Sequence, residues 1–218
     1  MNAEQIRRVL KRELAGLDRN DIDEMAIPSY THRNPLVRWI IRRRLRVIAT
    51  RMRRLGVRDY LDFGCGLGFL EVLMAGAGGR VFVTDLKLAP ARAIHRHFLL
   101  EGIQYLEPDA WAGVIPPGSL DAIVAADVLE HVDDLKGYVD RFAGLLRPGG
   151  LFFLSGPTET PLYRLCRKIA GFTGEYHVRD IYEIERVFED GGWRLAERKL
   201  LPIPGPFQMF SVTIWRRP

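Results

Sequence analysis

A glycine-rich stretch, Leu61–Gly68 with the sequence LDFGCGLG, is the part of the chain best suited to ligand chemistry. Glycines let the backbone turn sharply and approach a ligand closely. A helix is predicted to begin near Leu67, and the N–H groups of its first turn have no partner within the helix, so they can bind a polar or anionic group. The stretch therefore predicts a site for a nucleotide-like ligand.

The spacing of these glycines argues against a nicotinamide-dinucleotide loop. That loop has the pattern Gly-x-Gly-x-x-Gly, which from Gly64 places the third glycine where this chain has Phe69. The third glycine falls instead at Gly68, and Asp62 precedes the loop. No Tyr-x-x-x-Lys pair follows the predicted fourth strand, so a short-chain dehydrogenase is disfavoured.

The segments that must position this loop alternate between short apolar runs and helical patterns. Strands are predicted at 60–63, 81–84, 103–106, 122–126 and 151–155, with helices beginning near Leu67, Ala89 and Asp134. This alternation is typical of a parallel sheet with helices on both faces. A helix at 181–190, started by Asp180 and Glu183 as a capping box, precedes two strands at 194–200 and 209–215.

The pattern Asp-x-Gly-x-Gly-x-Gly at 62–68 resembles the first motif of class I S-adenosylmethionine-dependent methyltransferases. Further features follow in the order of that family: Asp85 ending the second strand, Asp109-Ala110 after the third, Ala126-Asp-Val-Leu-Glu-His-Val132 after the fourth, and Leu146-Arg-Pro-Gly-Gly150 before the fifth. The resemblance covers roughly Val57 to Ser155 and is to the broad small-molecule group that includes quinone-biosynthesis methyltransferases.

The resemblance implies an α/β fold, doubly wound, with a mostly parallel seven-stranded sheet in the order 3-2-1-4-5-7-6 and the last strand antiparallel. Residues 1–56 are then an N-terminal helical extension of the same domain, and residues 57–218 are the cofactor-binding part, with a lid insertion at about 156–178. S-adenosylmethionine is the implied cofactor. The residues expected to bind it are Asp62, Gly64, Cys65, Gly66, Gly68, Asp85, Leu86, Asp109, Ala110 and Ala126.

The acidic residues have distinct expected roles. Asp85 is placed to accept hydrogen bonds from both ribose hydroxyls, because a carboxylate has two oxygens. By the resemblance, Asp109 accepts from the adenine amino group, with Glu107 as the alternative if the register is shifted, and the N–H of Ala110 reads the ring. Asp62 can neutralise the ammonium group of the cofactor. The alternative is that Asp62 and Asp109 only cap neighbouring turns.

Methyl transfer from a sulfonium is an in-line displacement, so positioning can supply most of the rate enhancement. A phenolic, enolic or hydroxyl acceptor needs a base, and His131, just past the fourth strand, is the candidate. His177 can line the acceptor pocket. Alternatively, His131 packs against the cofactor or fixes a loop, and His177 holds the entry to the next helix. Glu130 beside His131 raises the question of a divalent metal, but no third ligand has suitable spacing and none is predicted.

Positive charge is concentrated in one segment. Ten arginines lie between Arg33 and Arg58 with no acidic residue among them, although the net charge of the chain is only +5. Apolar residues from Pro35 to Leu55 recur at helical spacing, which predicts an amphipathic helix with a broad arginine-covered face. The helix over Arg38–Arg54 can bind an anionic membrane surface. RNA is less favoured because no RNA-binding module appears, and a solvated face without a partner is the third reading.

The acceptor is expected to be covered by segments outside the core of the fold. Candidate lid or pocket residues are Tyr30, Trp39, Tyr163, Phe172 and Tyr176. Cys65 and Cys166 cannot form a disulfide framework, and no signal peptide is visible, so we expect a cytoplasmic location, with peripheral membrane association as an extension. The predicted function is methyl transfer to a small-molecule or lipid-linked acceptor. The alternatives are an RNA methyltransferase and a non-catalytic cofactor-binding scaffold.

Overall fold

The computed structural model describes residues 3–11, 27–108, 110–164 and 179–218. Helices α1 (Ala3–Val9), α2 (Ile27–Thr31) and α3 (Pro35–Arg54) precede the first strand. The start of α3 is fixed by Asn34, whose side chain accepts from the N–H of Leu36 at 2.9 Å, and by Pro35 in the first turn. The helix predicted from the apolar spacing between Pro35 and Leu55 is confirmed.

A seven-stranded sheet forms the centre of the described structure. Its strands are β1 (Tyr60–Phe63), β2 (Val81–Thr84), β3 (Ile103–Leu106), β4 (Leu120–Ala126), β5 (Leu146–Pro157), β6 (Arg194–Leu201) and β7 (Phe210–Arg216). Their order is β3-β2-β1-β4-β5-β7-β6. Strands β1 to β5 pair in parallel, and β7 runs antiparallel to both β5 and β6. The predicted fold class and strand order are confirmed.

Helices connect the strands and cover the two faces of the sheet. They are α4 (Phe69–Met74), α5 (Ala89–His97), α6 (Trp111–Val114), a 3-10 turn at Leu129–His131, α7 (Leu135–Leu145) and α8 (Ile181–Asp190). The capping box that starts α8 is confirmed: the Asp180 carboxylate accepts from the N–H of Glu183, and the Glu183 carboxylate accepts from the N–H of Asp180. Helix α4 begins two residues later than predicted, because the glycine loop extends through Gly68.

The central strands are buried on both faces, which explains their continuous apolar sequences. One face packs against α6, α7 and α8 through a cluster of aromatic side chains that includes Trp111, Phe142 and Phe188. The other face packs against α3 and α4, where Ile48 and Met52 meet buried residues of the sheet. The carboxyl ends of the parallel strands are thereby held on a rigid layer, and this edge is where open α/β sheets bind ligands.

The N-terminal helices lie over the start of α4 and α5. Buried Ile6 and Tyr30, from α1 and α2, share a cluster with Leu67 at the end of the glycine loop and Ile94 of α5. The ring of Tyr30 lies 5.0 Å from that of Phe69, centroid to centroid. The extension therefore covers the region beside the glycine loop. No helix of the described ranges is long and apolar enough to span a membrane.

Candidate functional site: a cofactor cradle at the carboxyl edge of the sheet

The glycine loop between β1 and α4 has a backbone that side chains would disrupt. Gly64, Gly66 and Gly68 have φ values of +75°, +55° and +70°, in the left-handed region that favours glycine. A Cβ atom at Gly64 would also lie 2.5 Å from the side chain of Val128, and one at Gly68 would overlap the imidazole of His95. The side of the loop that faces Val128 and His95 is therefore closely packed, and only glycine fits there.

Asp85, which follows β2, is bound to this loop. Its Oδ2 accepts from the N–H of Gly66 at 2.8 Å, and its Oδ1 accepts from the N–H of Lys87 at 3.3 Å. Burial raises the pKa of Asp85, and hydrogen bonds from backbone N–H groups partly offset that rise. Because each carboxylate oxygen can accept two hydrogen bonds, Asp85 retains acceptor capacity for a pair of ligand hydroxyls.

Two carboxyl groups are buried beside the loop. Asp62 of β1 and Glu71 in the first turn of α4 are each 3% exposed. Burial, followed by the negative charge of Glu71, raises the pKa of Asp62 well above its ordinary value. Sequence reasoning placed Asp62 in the site and missed Glu71, although one signal was present: Glu71 is the single charged residue in the six-residue helix FLEVLM.

His95 is a second residue that sequence reasoning missed. It is fully buried on α5, and its Nε2 lies 2.9 Å from the carbonyl oxygen of Gly68 and 3.5 Å from the Glu71 carboxylate. Its Nδ1 lies 2.8 Å from the hydroxyl of Tyr105 on β3. A carbonyl oxygen can only accept, so Nε2 carries a hydrogen and donates it to Gly68. His95 thereby ties the loop to α5 and β3.

The end of β4 carries a second group of charged side chains. Arg44 of α3 is 3% exposed, forms an ion pair with Asp127, and stacks 4.2 Å from the ring centroid of Phe210. Asp127 has a φ of +57°, which is uncommon for a residue other than glycine. Burial lowers the pKa of Arg44. This ion pair adjoins the glycine loop, since Val128 next to Asp127 packs against Gly64.

The 3-10 turn after β4 holds two titratable residues with different environments. Glu130 is 2% exposed, and burial raises its pKa to about 7, although the charge of Arg44 opposes the rise. His131, the base predicted from the sequence, is exposed on the same turn. His177, predicted for the acceptor pocket, lies outside the described residues. Within the described ranges, no group of three or more His, Cys, Asp or Glu side chains is arranged to hold a metal ion.

The other predicted cofactor residues have varied positions. Cys65 is buried in the loop next to Gly64, and Ala126 is half-buried at the end of β4. Leu86 is 72% exposed at the rim beside Asp85. Ala110 is exposed, and its N–H donates to the carbonyl oxygen of Glu107 at 3.0 Å. Asp109 lies outside the described residues, as do the candidate pocket residues Phe172 and Tyr176.

The arginine-rich face of α3 proves to be largely occupied by contacts within the protein. Arg44 lies in the buried stripe of the helix, not on its solvent face. Arg51 pairs with Glu197 of β6, and Arg53 donates to the carbonyl oxygens of Leu73 and Ala75. Further guanidinium-to-carbonyl bonds are made by Arg38 and Arg42. A fully solvated face, one of the three alternatives that the sequence left open, is therefore not what these five arginines form: their side chains fix α3 to the rest of the fold.

Comparisons with known proteins agree with this geometry. A methyltransferase-domain family model matches residues 6–198. The chain therefore belongs to that family, which confirms the class predicted from the glycine loop, the methyltransferases that use S-adenosylmethionine as methyl donor. Over 121 residues the chain is 36% identical to a ubiquinone biosynthesis O-methyltransferase of Xanthomonas euvesicatoria, covering 54% of this chain and 50% of that protein. The chain thus spans about half the length of the curated relatives it matches.

Solved structures share the fold at low sequence identity. The magnesium protoporphyrin IX methyltransferase of Synechocystis, solved with bound S-adenosylhomocysteine, has a TM-score of 0.68 and 18% identity, covering 92% of this chain and 95% of that one. The N-methyltransferase NodS of Bradyrhizobium japonicum, solved with the same ligand, has a TM-score of 0.65 and 19% identity, with 98% of each chain covered. These likenesses show the fold of the chain.

Proposed function

We propose that this chain transfers a methyl group from S-adenosylmethionine to a hydroxyl group of a small aromatic acceptor. The observation that carries the proposal is the glycine cradle with Asp85 hydrogen-bonded into it, next to the buried charges at the end of β4. The resemblance to O-methyltransferases of ubiquinone biosynthesis supports a phenolic acceptor.

The residues present fit the donor. The cofactor would supply an activated methyl group on a sulfonium, so the protein has to position the cofactor and the acceptor and exclude water from them. Asp85 would bind the ribose hydroxyls, Asp62 would face the ammonium group, and Asp109 would accept from the adenine amino group; the N–H of Ala110 would have to leave the carbonyl oxygen of Glu107 to reach the ring. The glycine loop would lie against the amino-acid portion, and a side chain at Gly64 or Gly68 would displace the loop by clashing with Val128 or His95.

A phenolic acceptor must lose its proton as the methyl group arrives, and the turn after β4 offers two candidates. His131 is the base predicted from the sequence, and its exposed position gives it access to an incoming acceptor. Glu130 is favoured by its environment, because a base works best when its pKa lies near the working pH, and burial brings that of Glu130 to about 7. We propose Glu130 as the base and His131 as the alternative.

Exposed apolar side chains lie at the carboxyl edge of the sheet, where the acceptor would enter, and they suit a lipid-linked substrate. The N-terminal half of α3 lies at the carboxyl edge of the sheet, since Arg44 reaches Asp127 there, whereas Arg53 reaches the far end of α4. Leu36 and Trp39 are 58% and 41% exposed at that end of α3. Ile203 and Phe207, on the loop between β6 and β7 at the same edge, are 61% and 58% exposed. These side chains support contact with a membrane surface from which the acceptor enters.

The methyl-transfer proposal is tested with radiolabelled S-adenosylmethionine and a panel of catechols, phenols and primary amines. We expect label on the catechols, and a rate that depends on a group titrating near pH 7. Glu130→Gln should remove that limb of the pH profile and lower kcat about 100-fold or more, whereas His131→Gln should retain it. Label appearing only on amines, or on no acceptor, contradicts the proposal.

The membrane contact is tested separately by sedimentation with vesicles containing phosphatidylglycerol. Leu36→Glu should reduce the bound fraction at least threefold, since it places a charge on the proposed contact. Leu99→Glu is the matched control: Leu99 is 85% exposed just beyond α5, away from that edge, so its replacement should leave binding unchanged. Equal binding by wild type and Leu36→Glu would exclude this surface.

A further inference from the structure

The buried carboxyl groups of Asp62 and Glu71 lie together at the amino-acid end of the cofactor site. They reach it from different elements, β1 and α4, and each is 97% shielded from solvent. In the part of the chain that the structure describes, neither oxygen of Glu71 has a hydrogen-bond partner. Two negative charges in such a place would be costly, because burial disfavours each charge and they repel each other.

His95 contacts this pair only at the limit of hydrogen-bond distance. Its Nε2–H is already donated to the carbonyl oxygen of Gly68 at 2.9 Å, and the distance from Nε2 to Glu71 is 3.5 Å. Its other ring nitrogen bonds the Tyr105 hydroxyl. His95 therefore serves mainly to hold the loop, and Glu71 receives at most a share of one N–H.

The other titratable groups that face the pair bring no positive charge to it. They are Tyr30 from α2, Tyr60 from β1, Cys65 from the loop, Asp85 from β2 and Tyr105 from β3. The arginines of this region act elsewhere: Arg42 and Arg44 face Tyr30, Arg44 is paired with Asp127, and Arg53 faces Tyr60. The carboxyl groups of Asp62 and Glu71 can therefore share one proton in the free protein and lose it when a cation binds.

Building on the proposed function, we propose that Asp62 is protonated in the free protein because it is buried beside a second buried carboxyl group, that of Glu71, and that the ammonium group of the cofactor displaces this proton. The exchange balances: a neutral Asp62 carboxyl and a ligand ammonium give a carboxylate paired with that ammonium and one proton released to solvent. No covalent bond to carbon or sulfur changes. Glu71 is then a positioning residue that sets the protonation state of Asp62. The raised pKa of Asp62 is consistent with this arrangement.

The proposal has a thermodynamic consequence that a purely structural Glu71 would lack. If one proton leaves on binding, the Kd for the cofactor falls by up to about tenfold for each unit by which pH rises, within the window where Asp62 is protonated in the free protein. A ligand without the ammonium group should show no such dependence. Replacing Glu71 by glutamine should reduce it, because Asp62 then keeps its burial but loses the repulsion of a neighbouring carboxylate.

The test is calorimetric titration at pH 6.0 in phosphate and in bis-tris, which differ in ionisation enthalpy, so that the difference in heat gives the protons released. S-adenosylhomocysteine is compared with 5′-methylthioadenosine, which keeps the adenosine and lacks the amino-acid portion. For the wild-type protein we expect release of more than about half a proton with the first ligand and about none with the second.

Two variants assign the effect to Glu71. Glu71→Gln should reduce proton release with S-adenosylhomocysteine, and Glu71→Asp, which keeps the carboxylate, should restore it. The wild-type comparison stands even if a variant does not fold. Equal proton release with both ligands would overturn the inference while leaving the cofactor site intact. Absence of binding by S-adenosylhomocysteine would instead refute the proposed function.

Discussion

Replacing Gly68 by alanine tests whether the glycine loop is held by His95 as well as by its own backbone. Gly68 has a φ of +70°, and a Cβ built on it overlaps the buried imidazole of His95. The left-handed conformation costs a residue with a side chain about 1–2 kcal/mol. Overpacking a buried site adds about 1–3 kcal/mol. We therefore expect Gly68→Ala to lower the free energy of unfolding by about 2–5 kcal/mol.

Gly56→Ala provides the matched control. Gly56 follows α3 with a φ of +69°, and a Cβ there would meet no atom within 4 Å. Its replacement should therefore lower the free energy of unfolding by about 1–2 kcal/mol, the cost of the left-handed backbone conformation alone. The difference between the two variants isolates the contact with His95. The double variant Gly68→Ala/His95→Ala completes a cycle, because removing the imidazole makes room for the new methyl group.

The assay is urea-induced unfolding followed by circular dichroism, in which a change of midpoint at constant slope reports a change in stability. We expect Gly68→Ala to be the less stable of the two alanine variants, and a coupling energy with His95→Ala above about 1 kcal/mol. If Gly68→Ala and Gly56→Ala lose the same stability, or if the coupling is negligible, His95 does not hold the loop.

Three further perturbations address the charged groups of the site. Arg44→Met leaves Asp127 without its ion-pair partner and should lower the free energy of unfolding in urea by up to about 3 kcal/mol. The double variant Arg44→Met/Asp127→Asn should recover about half of this loss. If it recovers none, the loss comes from the packing of Arg44 on Phe210. Because burial raises the pKa of Glu130 to about 7, the folded state holds a proton that the unfolded state releases above about pH 4.5. The free energy of unfolding should therefore fall as pH rises from about 4.5 to 7, and Glu130→Gln should reduce this fall by up to about 3 kcal/mol. If the pH dependence of stability is the same in the variant, Glu130 is not buried in its neutral form. Asp62→Asn should stabilise the ligand-free protein at pH 7, because the raised pKa of Asp62 makes its ionisation unfavourable. The same variant should bind S-adenosylhomocysteine at least tenfold more weakly. Tighter binding would contradict the role of Asp62 in holding the ammonium group.

The sequence was a good guide where local chemistry decides the structure. Strands β1, β2 and β3 begin and end where predicted, because each is a short, mainly apolar segment bounded by charged residues or glycine. The glycine loop, the position of Asp85 and the cap of α8 follow from rules that act over a few residues. The order of the strands came from the family resemblance, and the structure confirms it.

The sequence was a poor guide where distant elements meet. Glu71 and His95 lie on successive helices, and only their packing under Gly68 brings them together. The helical spacing placed Arg44 on the arginine-covered face of the predicted helix. It is buried instead, because Asp127, which is distant in the sequence, supplies the opposite charge. No helical periodicity can identify such a pair, since its partner is set by the sheet topology.

Binding of S-adenosylhomocysteine, measured by calorimetry with wild-type protein and Asp85→Asn, tests whether the glycine loop and Asp85 form the cofactor site. Loss of charge-assisted hydrogen bonds to the ribose should cost about 1.5–3 kcal/mol, a weakening of about 10- to 100-fold. Asp140→Asn, at an exposed ion pair with Lys136 on α7, is the control and should leave the Kd unchanged. We expect binding of S-adenosylhomocysteine that depends on Asp85, and no binding of NAD. Binding of NAD, or equal affinity in wild type and Asp85→Asn, would contradict it.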